Sequence, residues 1–172
     1  MDKMARLVFT LLLFTLGFGI KVEVANFPRW VCADGWTLFQ GYCYKFFDVK
    51  KSWNEAENIC KNTVKGAHLT SISSDVQNKF LVQLTKAMDK SIPTAWTGGN
   101  DFTKKYTWTW VDGKSFSYTH WSKGEPTNLG GHEECLQINW LVPGQWNNEM
   151  CSAALPFICC YYPISFEVNE TP

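Results

Sequence analysis

The sequence predicts an α+β domain with an antiparallel sheet, cross-linked by disulfide bonds. Two stretches of helical periodicity come early, and several short strand-like runs separated by turn signals follow them. Seven cysteines lie behind an apolar amino-terminal segment, which is typical of a small secreted domain. A chain of 172 residues is long enough for one such domain and one short additional segment.

The additional segment is predicted at the amino terminus. Lys3 and Arg6 precede an almost entirely apolar run over residues 7–20, as in a secretory signal peptide. An uncleaved membrane anchor is the alternative, but Lys21 and Glu23 end the run before the ~20 apolar residues that a span needs. We therefore expect a secreted, extracellular protein. The predicted boundaries are a signal peptide at 1–19 (cleavage about 17–21), a short lead-in at 20–29, the main domain at 30–160 and a tail at 161–172.

The charge balance argues against a nucleic-acid partner. The chain has 16 basic and 16 acidic residues, and removal of residues 1–19 leaves 14 and 15, a formal charge of −1. Such a domain offers no basic patch to phosphate backbones and no polybasic stretch to anionic lipid. No other stretch is long enough to span a membrane, so we expect neither partner.

The first predicted element of the domain is an aromatic β-hairpin. Residues 30–47 are rich in aromatic side chains, and an Asp-Gly and a Gln-Gly dipeptide provide turns within them. Cys32 and Cys43 fall on opposite arms of this hairpin. A bond between them would cross-link it, which is a structural role.

Two helices follow, and each is predicted to begin at a serine. Ser52 with Glu55, and Ser74 with Gln77, have the three-residue spacing of a capping box. The helices are expected over residues 52–62 and 74–90. Their inward faces, by helical spacing, are Trp53, Ala56, Glu57 and Cys60 in the first, and Val76, Phe80, Leu81, Leu84 and Met88 in the second.

Short strand-like runs make up the rest of the domain. Turn signals separate these runs, and helical periodicity ends after Pro93. The predicted extended runs are 67–72 between the helices, then 94–99, 106–111, 116–121, 134–140 and 155–160. The segment between Trp121 and Glu134 is mostly loop, and long ordered loops are usually functional.

Neither a zinc site nor an enzyme is predicted. The chain has no Cys-x-x-Cys pair, and its three histidines are scattered. It also lacks a Gly-x-Ser-x-Gly elbow, a His-Glu-x-x-His helix and a phosphate-binding glycine loop. Glu125 and Glu133 could form a carboxylate pair for glycoside cleavage, but nothing in the sequence favours that over metal ligation.

The stretch from 121 to 151 concentrates oxygen ligands between two cysteines. It holds the carboxylates of Glu125 and Glu133 beside Pro126. It also holds four side-chain amides or hydroxyls, at Thr127, Asn128, Asn147 and Asn148. Calcium takes about 6 to 8 oxygen ligands, so this composition favours calcium over zinc.

The order of these features resembles the C-type lectin-like domain family, over about residues 30–160. It is particularly similar to short secreted single-domain lectins of the kind found in fish. The resemblance implies a C-type lectin-like fold, with two helices on antiparallel sheets and a long ligand-binding loop. The matching residues are Trp36 with Cys43-Tyr44, then Trp53, Ala56 and Cys60, then Ala67-His68-Leu69, Trp96-Thr97-Gly98-Gly99, Trp108, Trp110, Gly124-Glu125-Pro126, Glu133-Glu134-Cys135, Trp146-Asn147-Asn148 with Cys151, and Pro156-Phe157-Ile158-Cys159.

The resemblance also implies a disulfide pattern, which spacing alone could not have fixed. The implied bonds are Cys32–Cys43, Cys60–Cys159 and Cys135–Cys151. Cys160 is then the unpaired seventh cysteine. A disulfide-linked homodimer through Cys160 is a hypothesis that this odd count motivates.

The family's calcium and sugar site is only partly matched. In calcium-dependent members, a Glu-Pro-Asn motif, a later Glu and a Trp-Asn-Asp motif share one calcium with two sugar hydroxyls. Glu125, Glu133 and Asn147 match this pattern, whereas Thr127 replaces Asn and Asn148 replaces Asp. A one-residue slip to Asn128 is conceivable, but the ten-residue step from Glu125 to Cys135 equals the family's spacing. The implied metal ligands are Glu125, Glu133, Asn147 and Asn148, with Thr127 added for carbohydrate binding, and Glu125-Pro126 is the candidate cis bond.

These departures predict weaker calcium binding than in a full-motif member. Two carboxylates remain instead of three, and a threonine hydroxyl is a poorer ligand than an amide. The expected ligands are mannose-like or mixed glycans on cells or microbes, which implies a role in innate immunity. The alternative is a module that has lost sugar and calcium and binds protein or another surface, including ice.

Three other residues have open roles. Trp146 is interpreted as core beneath the site, and Trp140 as either core or a surface that stacks on a sugar. Asn169 begins a formal glycosylation sequon at the carboxyl end, where occupancy is not settled by the sequence.

Overall fold

The computed structural model describes residues 31–163 of the chain. The predicted signal peptide, the lead-in and Asn169 with most of the predicted tail lie outside the described residues. Across residues 31–163, no helix combines the length and apolar character needed to cross a bilayer.

Two helices and an eight-stranded sheet form the described part of the chain. Along the sheet the strands run β1-β2-β8-β4-β6-β7, with β3 beside β8 and β5 beside β4. The elements are β1 (Thr37–Phe39), β2 (Tyr42–Lys51), α1 (Trp53–Thr63), β3 (His68–Leu69), α2 (Asp75–Met88), β4 (Ala95–Asn100), β5 (Thr109–Trp110), β6 (Glu133–Ile138), β7 (Trp146–Met150) and β8 (Leu155–Tyr161). The predicted α+β class is confirmed.

One strand pair departs from the predicted antiparallel sheet. β4 and β8 pair in parallel, through Trp96 and Phe157, so the sheet is mixed. Both side chains are fully buried, and they pack in a core with the half-cystines of α1 and β8. Parallel strands need a long connection, and the chain between β4 and β8 provides one. Parallel pairing is also typical of strands that are buried on both faces.

The predicted hairpin is formed by β1 and β2. Gln40 and Gly41 make its two-residue turn with φ of 46° and 81°, as a turn with two positive φ values requires. Cys32 lies ahead of β1 rather than on its arm, and it is bonded to Cys43 in β2. All three implied disulfides are present: Cys32–Cys43, Cys60–Cys159 and Cys135–Cys151.

Cys160 is the free cysteine of the described residues, and it is buried, with 6% of its surface exposed. A disulfide between two copies requires this thiol at the surface. Its burial therefore counts against the predicted homodimer, which stays a prediction.

Helix α1 forms where its cap and spacing predict it. The amide and hydroxyl of Ser52 both donate to the Glu55 carboxylate, at 3.1 and 2.6 Å. Both hydrogen bonds lower the pKa of Glu55, and the bond from the hydroxyl has the larger effect. The buried face is the predicted one: Trp53, Ala56, Glu57 and Cys60.

Helix α2 begins at Ser74 as predicted, but its buried stripe is partly wrong. Leu81 is buried and Phe80 and Leu84 are partly buried, whereas Val76 and Met88 are 56% and 67% exposed. Polar residues occupy the rest of the inward face, at Gln77, Asn78 and Thr85. These polar side chains are tolerated in the interior because each is hydrogen-bonded. Gln77 and Asn78 bond to strand and loop groups, and Thr85 bonds to the backbone of the helix itself.

The strand-rich half differs from prediction in three places, the first being the run over 106–111, of which only Thr109–Trp110 is a strand. The run over 116–121 is not a strand, because its aromatic rings pack around Trp146 and only Trp121 forms a bridge to it. Strand β7 was not predicted as a strand at all. It contributes Trp146, which is fully buried, and so confirms that residue as core.

Candidate functional site

The loop that follows Trp121 is fastened to β7 by backbone hydrogen bonds. The Ser122 amide donates to the Trp146 carbonyl and the Trp146 amide donates to the His120 carbonyl, both at 2.9 Å. Glu125 then turns back on Ser122 through a 3.0 Å hydrogen bond from its amide. The peptide bond between Glu125 and Pro126 is cis, as predicted. The loop therefore passes close to the end of the sheet that carries β6 and β7.

Thr127 is the centre of a polar cluster at this end of the sheet. Its amide donates to Glu125 Oε2 at 2.7 Å and to Asn148 Oδ1 at 3.1 Å. Its hydroxyl donates to Glu133 Oε2 at 3.4 Å. Three other predicted site residues thus contact Thr127, two of them at its backbone amide and one at its hydroxyl. We call Glu125, Thr127, Glu133 and Asn148 the Thr127 cluster.

The Glu133 carboxylate is held by the loop as well as by Thr127. Its Oε2 accepts a 2.7 Å hydrogen bond from the Leu129 amide. The Glu133 amide donates in turn to Asn128 Oδ1 at 3.1 Å. Asn128 therefore shapes the turn before β6, and Thr127 occupies the position next to Pro126 with no slip of register. The preference of Asn for turns that bond its side chain to nearby backbone is the signal for this role.

Asn148 joins the loop to β7 and β6. Its amide nitrogen donates to two backbone carbonyls, those of Thr127 and Glu133, the latter at 2.8 Å. Its Oδ1 accepts from the Thr127 amide, so both ends of the side chain are used. The side chain is 1% exposed. An aspartate could not donate these two bonds, which gives the Asn at this position a structural reason.

Asn147 is placed differently from its neighbour. It lies on β7 opposite Gln137 and is 5% exposed. Its side chain makes no hydrogen bond with any residue between 31 and 163 and does not join the Thr127 cluster. The amide's hydrogen-bonding capacity is thus unused among the described residues.

The predicted ligands are of the types that calcium binds, but they carry little negative charge. The predicted ligands supply two carboxylates, a hydroxyl and two amides, all oxygen donors of the type that calcium accepts. No group of three or more His, Cys, Asp or Glu able to hold a metal occurs in the described part of the chain. The fit is therefore to a calcium ion held by only two negative charges, which predicts weak binding.

Two apolar side chains next to the cluster, Leu129 and Met150, are not singled out by the sequence. Leu129, whose amide holds Glu133, has an exposed side chain, and so has Met150, which lies opposite Glu133 across β6 and β7. Trp140 is partly exposed. Trp146 is core, because its indole nitrogen donates to Asn78 Oδ1 of α2 at 2.8 Å.

Comparison with known proteins identifies relatives of this architecture. A sequence model of the lectin C-type domain matches residues 49–161. A lectin of Pleurodeles waltl is 40% identical over 130 residues, 76% of each chain, and ladderlectin of Oncorhynchus mykiss is 35% identical over 159 residues, 90% of this chain and 83% of that protein. The structure of herring type II antifreeze protein has a TM-score of 0.70 and 29% identity, covering 78% of this chain and all of that one.

Proposed function

This chain belongs to the C-type lectin domain family, and on that premise we propose that it is a secreted lectin that binds glycans of cells or microbes with the assistance of calcium. The family consists of binding proteins, not enzymes. Three disulfide bonds support an oxidising, extracellular location. We place glycan binding at the Thr127 cluster together with Asn147.

The observation that carries the proposal is the meeting of two carboxylates at Thr127. Glu125 and Glu133 are brought to one residue by hydrogen bonds of 2.7 and 3.4 Å to its amide and hydroxyl. Carboxylate oxygens that approach one residue in this way can accept protons from hydroxyls and can ligate a divalent cation. A sugar with two neighbouring hydroxyls supplies such protons.

The residues of the site have distinct roles towards a sugar. The carboxylates of Glu125 and Glu133 accept protons from sugar hydroxyls, and the Asn147 amide can donate to a hydroxyl oxygen. Glu125, Glu133, Asn147 and Asn148 would be the residues that hold a calcium ion, which would supply attraction for the remaining hydroxyl lone pairs. Asn148 and the Thr127 amide fix the loop, so the carboxylates are positioned before the ligand arrives.

The sugar preference follows from the half-matched motif. Glu125 retains the first half of the pattern that accompanies mannose-type hydroxyl pairs in the family, and Thr127 fits neither that pattern nor the galactose one. We propose mannose-like or mixed glycans. The exposed Leu129 and Met150 add apolar surface next to the site.

Affinity chromatography tests the proposal. The protein is passed over immobilised mannose and immobilised galactose in calcium, and then eluted with EDTA. We expect retention on at least one column and release by EDTA, with retention lost in E133Q. E134Q is the matched control, because Glu134 is the exposed neighbour outside the cluster. Failure to bind either column and a broad glycan array, with no change in melting temperature on adding calcium, would exclude this function.

Ice binding is a second candidate, favoured by one specific observation. The herring type II antifreeze protein shares this fold at 29% identity over its whole length. A direct measurement of thermal hysteresis separates the two candidates. A freezing-point gap together with no glycan retention would favour ice, and no gap with EDTA-sensitive retention would favour the lectin.

A further inference from the structure

A cavity of about 310 Å³ lies apart from the Thr127 cluster. Its walls come from β2, β3, the segment after β5 and the end of β8, whereas the Thr127 cluster lies at β6 and β7. In the sheet order β4 separates the two regions. Small-molecule sites have volumes of about 300 to 1,000 Å³, so this cavity is at the small end of that range.

Tyrosines supply the apolar part of the cavity. Tyr42, Tyr161 and Tyr162 line it, and the rings of Tyr42 and Tyr162 meet edge to face with centroids 5.3 Å apart. The Tyr161 ring itself lies in the core against Trp36, with centroids 4.9 Å apart, and its hydroxyl accepts a 2.7 Å hydrogen bond from the Ala33 amide. Tyr42 and Tyr162 therefore supply the ring surface. Rigid aromatic faces suit the C–H patches of a sugar ring.

Lys114 and Asp112 supply one fixed polar pair. Lys114 Nζ lies 3.9 Å from the centroid of the Tyr42 ring and 3.4 Å from Asp112 Oδ2. Asp112 is held in turn by the Ser71 hydroxyl at 2.6 Å and by the Lys114 amide at 3.2 Å. An ammonium has three hydrogens, so Lys114 retains donors for a ligand after bonding Asp112.

His68 supplies a second polar group, and a buried carboxylate orients it. His68 Nδ1 lies 2.7 Å from Glu57 Oε1, and the other Glu57 oxygen accepts from the Leu69 amide at 2.8 Å. With Nδ1 donating to Glu57, the ring is fixed. Its Nε2 makes no hydrogen bond to any residue that the structure describes. Fixed rings and side chains of this kind are what a preformed binding site needs.

Among the residues that the structure describes, the one pair of opposite charges that lines the cavity is Lys114 with Asp112. Lys114 offsets the charge of Asp112 at the cavity wall, and Glu57 is buried and does not line the cavity, so the lining offers donors and acceptors without a cluster of like charges to attract an ion. Donors, acceptors and aromatic walls together match a neutral molecule with several hydroxyls and one apolar face. We propose that this cavity binds a single neutral pyranose ring, without a divalent cation and independently of the Thr127 cluster.

Saturation-transfer NMR in excess EDTA tests this site, with mannose, galactose and N-acetylglucosamine as probes. We expect transfer to at least one of the three sugars in wild-type protein and in E133Q. The affinity should fall by at least about fivefold in K114M, which keeps the side-chain stem but removes the ammonium. K86M is the matched control, because Lys86 is exposed on α2 and outside the cavity.

Amide chemical-shift changes on titration locate the sugar in the same samples. We expect the changes at His68, Asp112 and Lys114 rather than at Thr127 and Asn148. Spectra of K114M without sugar verify that the variant is folded. No transfer to any probe in EDTA, shift changes confined to Thr127 and Asn148, or equal affinity of folded K114M and K86M would each overturn the proposal. Because EDTA removes calcium, this result is independent of whether the Thr127 cluster binds glycan.

Discussion

Asn148 shows how one residue changes what the site can do. An aspartate at this position would bring a third negative charge for calcium, but the asparagine instead donates to the carbonyls of Thr127 and Glu133. The site is thereby held together by its own hydrogen bonds. We infer that the asparagine fixes the loop by hydrogen bonds in place of the negative charge that an aspartate would offer to calcium.

The N148D variant tests this reading. Two donated hydrogen bonds are lost, and a new carboxylate faces two carbonyls close to Glu133, so we expect the protein to lose about 2 to 4 kcal/mol of stability in EDTA. Calcium should restore more stability to N148D than to wild type, since three carboxylates then share the ion. The measurement is the melting temperature of both proteins in EDTA and in calcium.

A control separates this effect from a general effect of added charge. N58D places the same change on the exposed face of α1, and its melting temperature should respond to calcium as wild type does. Equal melting temperatures of N148D and wild type in EDTA would show that the Asn148 hydrogen bonds do not hold the loop.

Cys160 is a residue whose environment predicts its reactivity. Burial, the largest cause, raises the pKa of this thiol from 9.0 to about 11, and only a small part of its surface is exposed. At pH 8 about one folded thiol in a thousand is then ionised, against about one in ten at a pKa of 9.0. Because the folded pKa is the higher one, the thiol contributes stability that is complete below about pH 9 and lost as the pH rises through about 11.

Titration with Ellman's reagent at pH 8 checks this expectation. The native protein should react very slowly, and the protein in guanidinium chloride should release one thiol per chain. The C160S variant should release none in either condition. Rapid reaction of the native protein would contradict the burial of Cys160, and no thiol after unfolding would point to the disulfide-linked homodimer.

At the scale of elements, α1 was predictable and α2 only partly so. The face of α1 is built from a capping serine, two apolar side chains, a half-cystine and a carboxylate at helical spacing. The face of α2 depends on Gln77 and Asn78, whose partners lie on other elements far along the chain. Periodicity counts apolar side chains, so it assigned Val76 and Met88 to the interior and left the buried amides out.

Strand β7 and the Thr127 cluster show the same limit of prediction from local sequence patterns. The motif residues of the site could be named from the resemblance, but Asn147 and Asn148 have poor strand propensity, and β7 forms because it pairs with β6. The meeting of Glu125 and Glu133 at Thr127 is a tertiary contact that no local pattern contains. The residues of the site can therefore be predicted from the sequence, but the hydrogen bonds between them cannot.

The contact of α2 with the site strand gives a prediction at this scale. Asn78 Oδ1 accepts from the Trp146 indole and its Nδ2 donates to the Gly144 carbonyl at 2.9 Å. N78A leaves the Trp146 indole nitrogen buried without a partner, whereas the Gly144 carbonyl keeps its 2.9 Å contact with His120 Nδ1, so we expect a loss of about 1 to 3 kcal/mol in the free energy of unfolding. Q83A, on the exposed side of the same helix, should change it by less than about 0.5 kcal/mol. Urea unfolding measures both, and equal values for the two variants would contradict the role of Asn78.

At the scale of the whole molecule, the mixed sheet distributes two polar regions over different strands. The Thr127 cluster belongs to β6 and β7, and the Tyr42-lined cavity belongs to β2, β3 and β8. Two of the disulfides follow the same division, because Cys135–Cys151 joins β6 to the residue after β7 and Cys60–Cys159 joins α1 to β8. The order of helices, strands and cysteines was enough to predict the fold, whereas the parallel contact of β4 with β8 depends on packing between distant segments.

This division predicts that Cys60–Cys159 contributes more to stability, whereas Cys135–Cys151 contributes more to ligand binding. Cys60–Cys159 spans 99 residues and Cys135–Cys151 spans 16, so loop-closure entropy gives about 4.7 and about 3.1 kcal/mol for the two bonds. C60A/C159A should therefore unfold at lower urea than C135A/C151A. Without urea, at a temperature at which both variants are folded, C135A/C151A should lose more of the EDTA-sensitive glycan retention. The reason is that the Cys135–Cys151 bond fixes the strands that carry Glu133 and Asn148. Equal loss of retention in the two variants would show that the β6 and β7 ends are held in place without this disulfide.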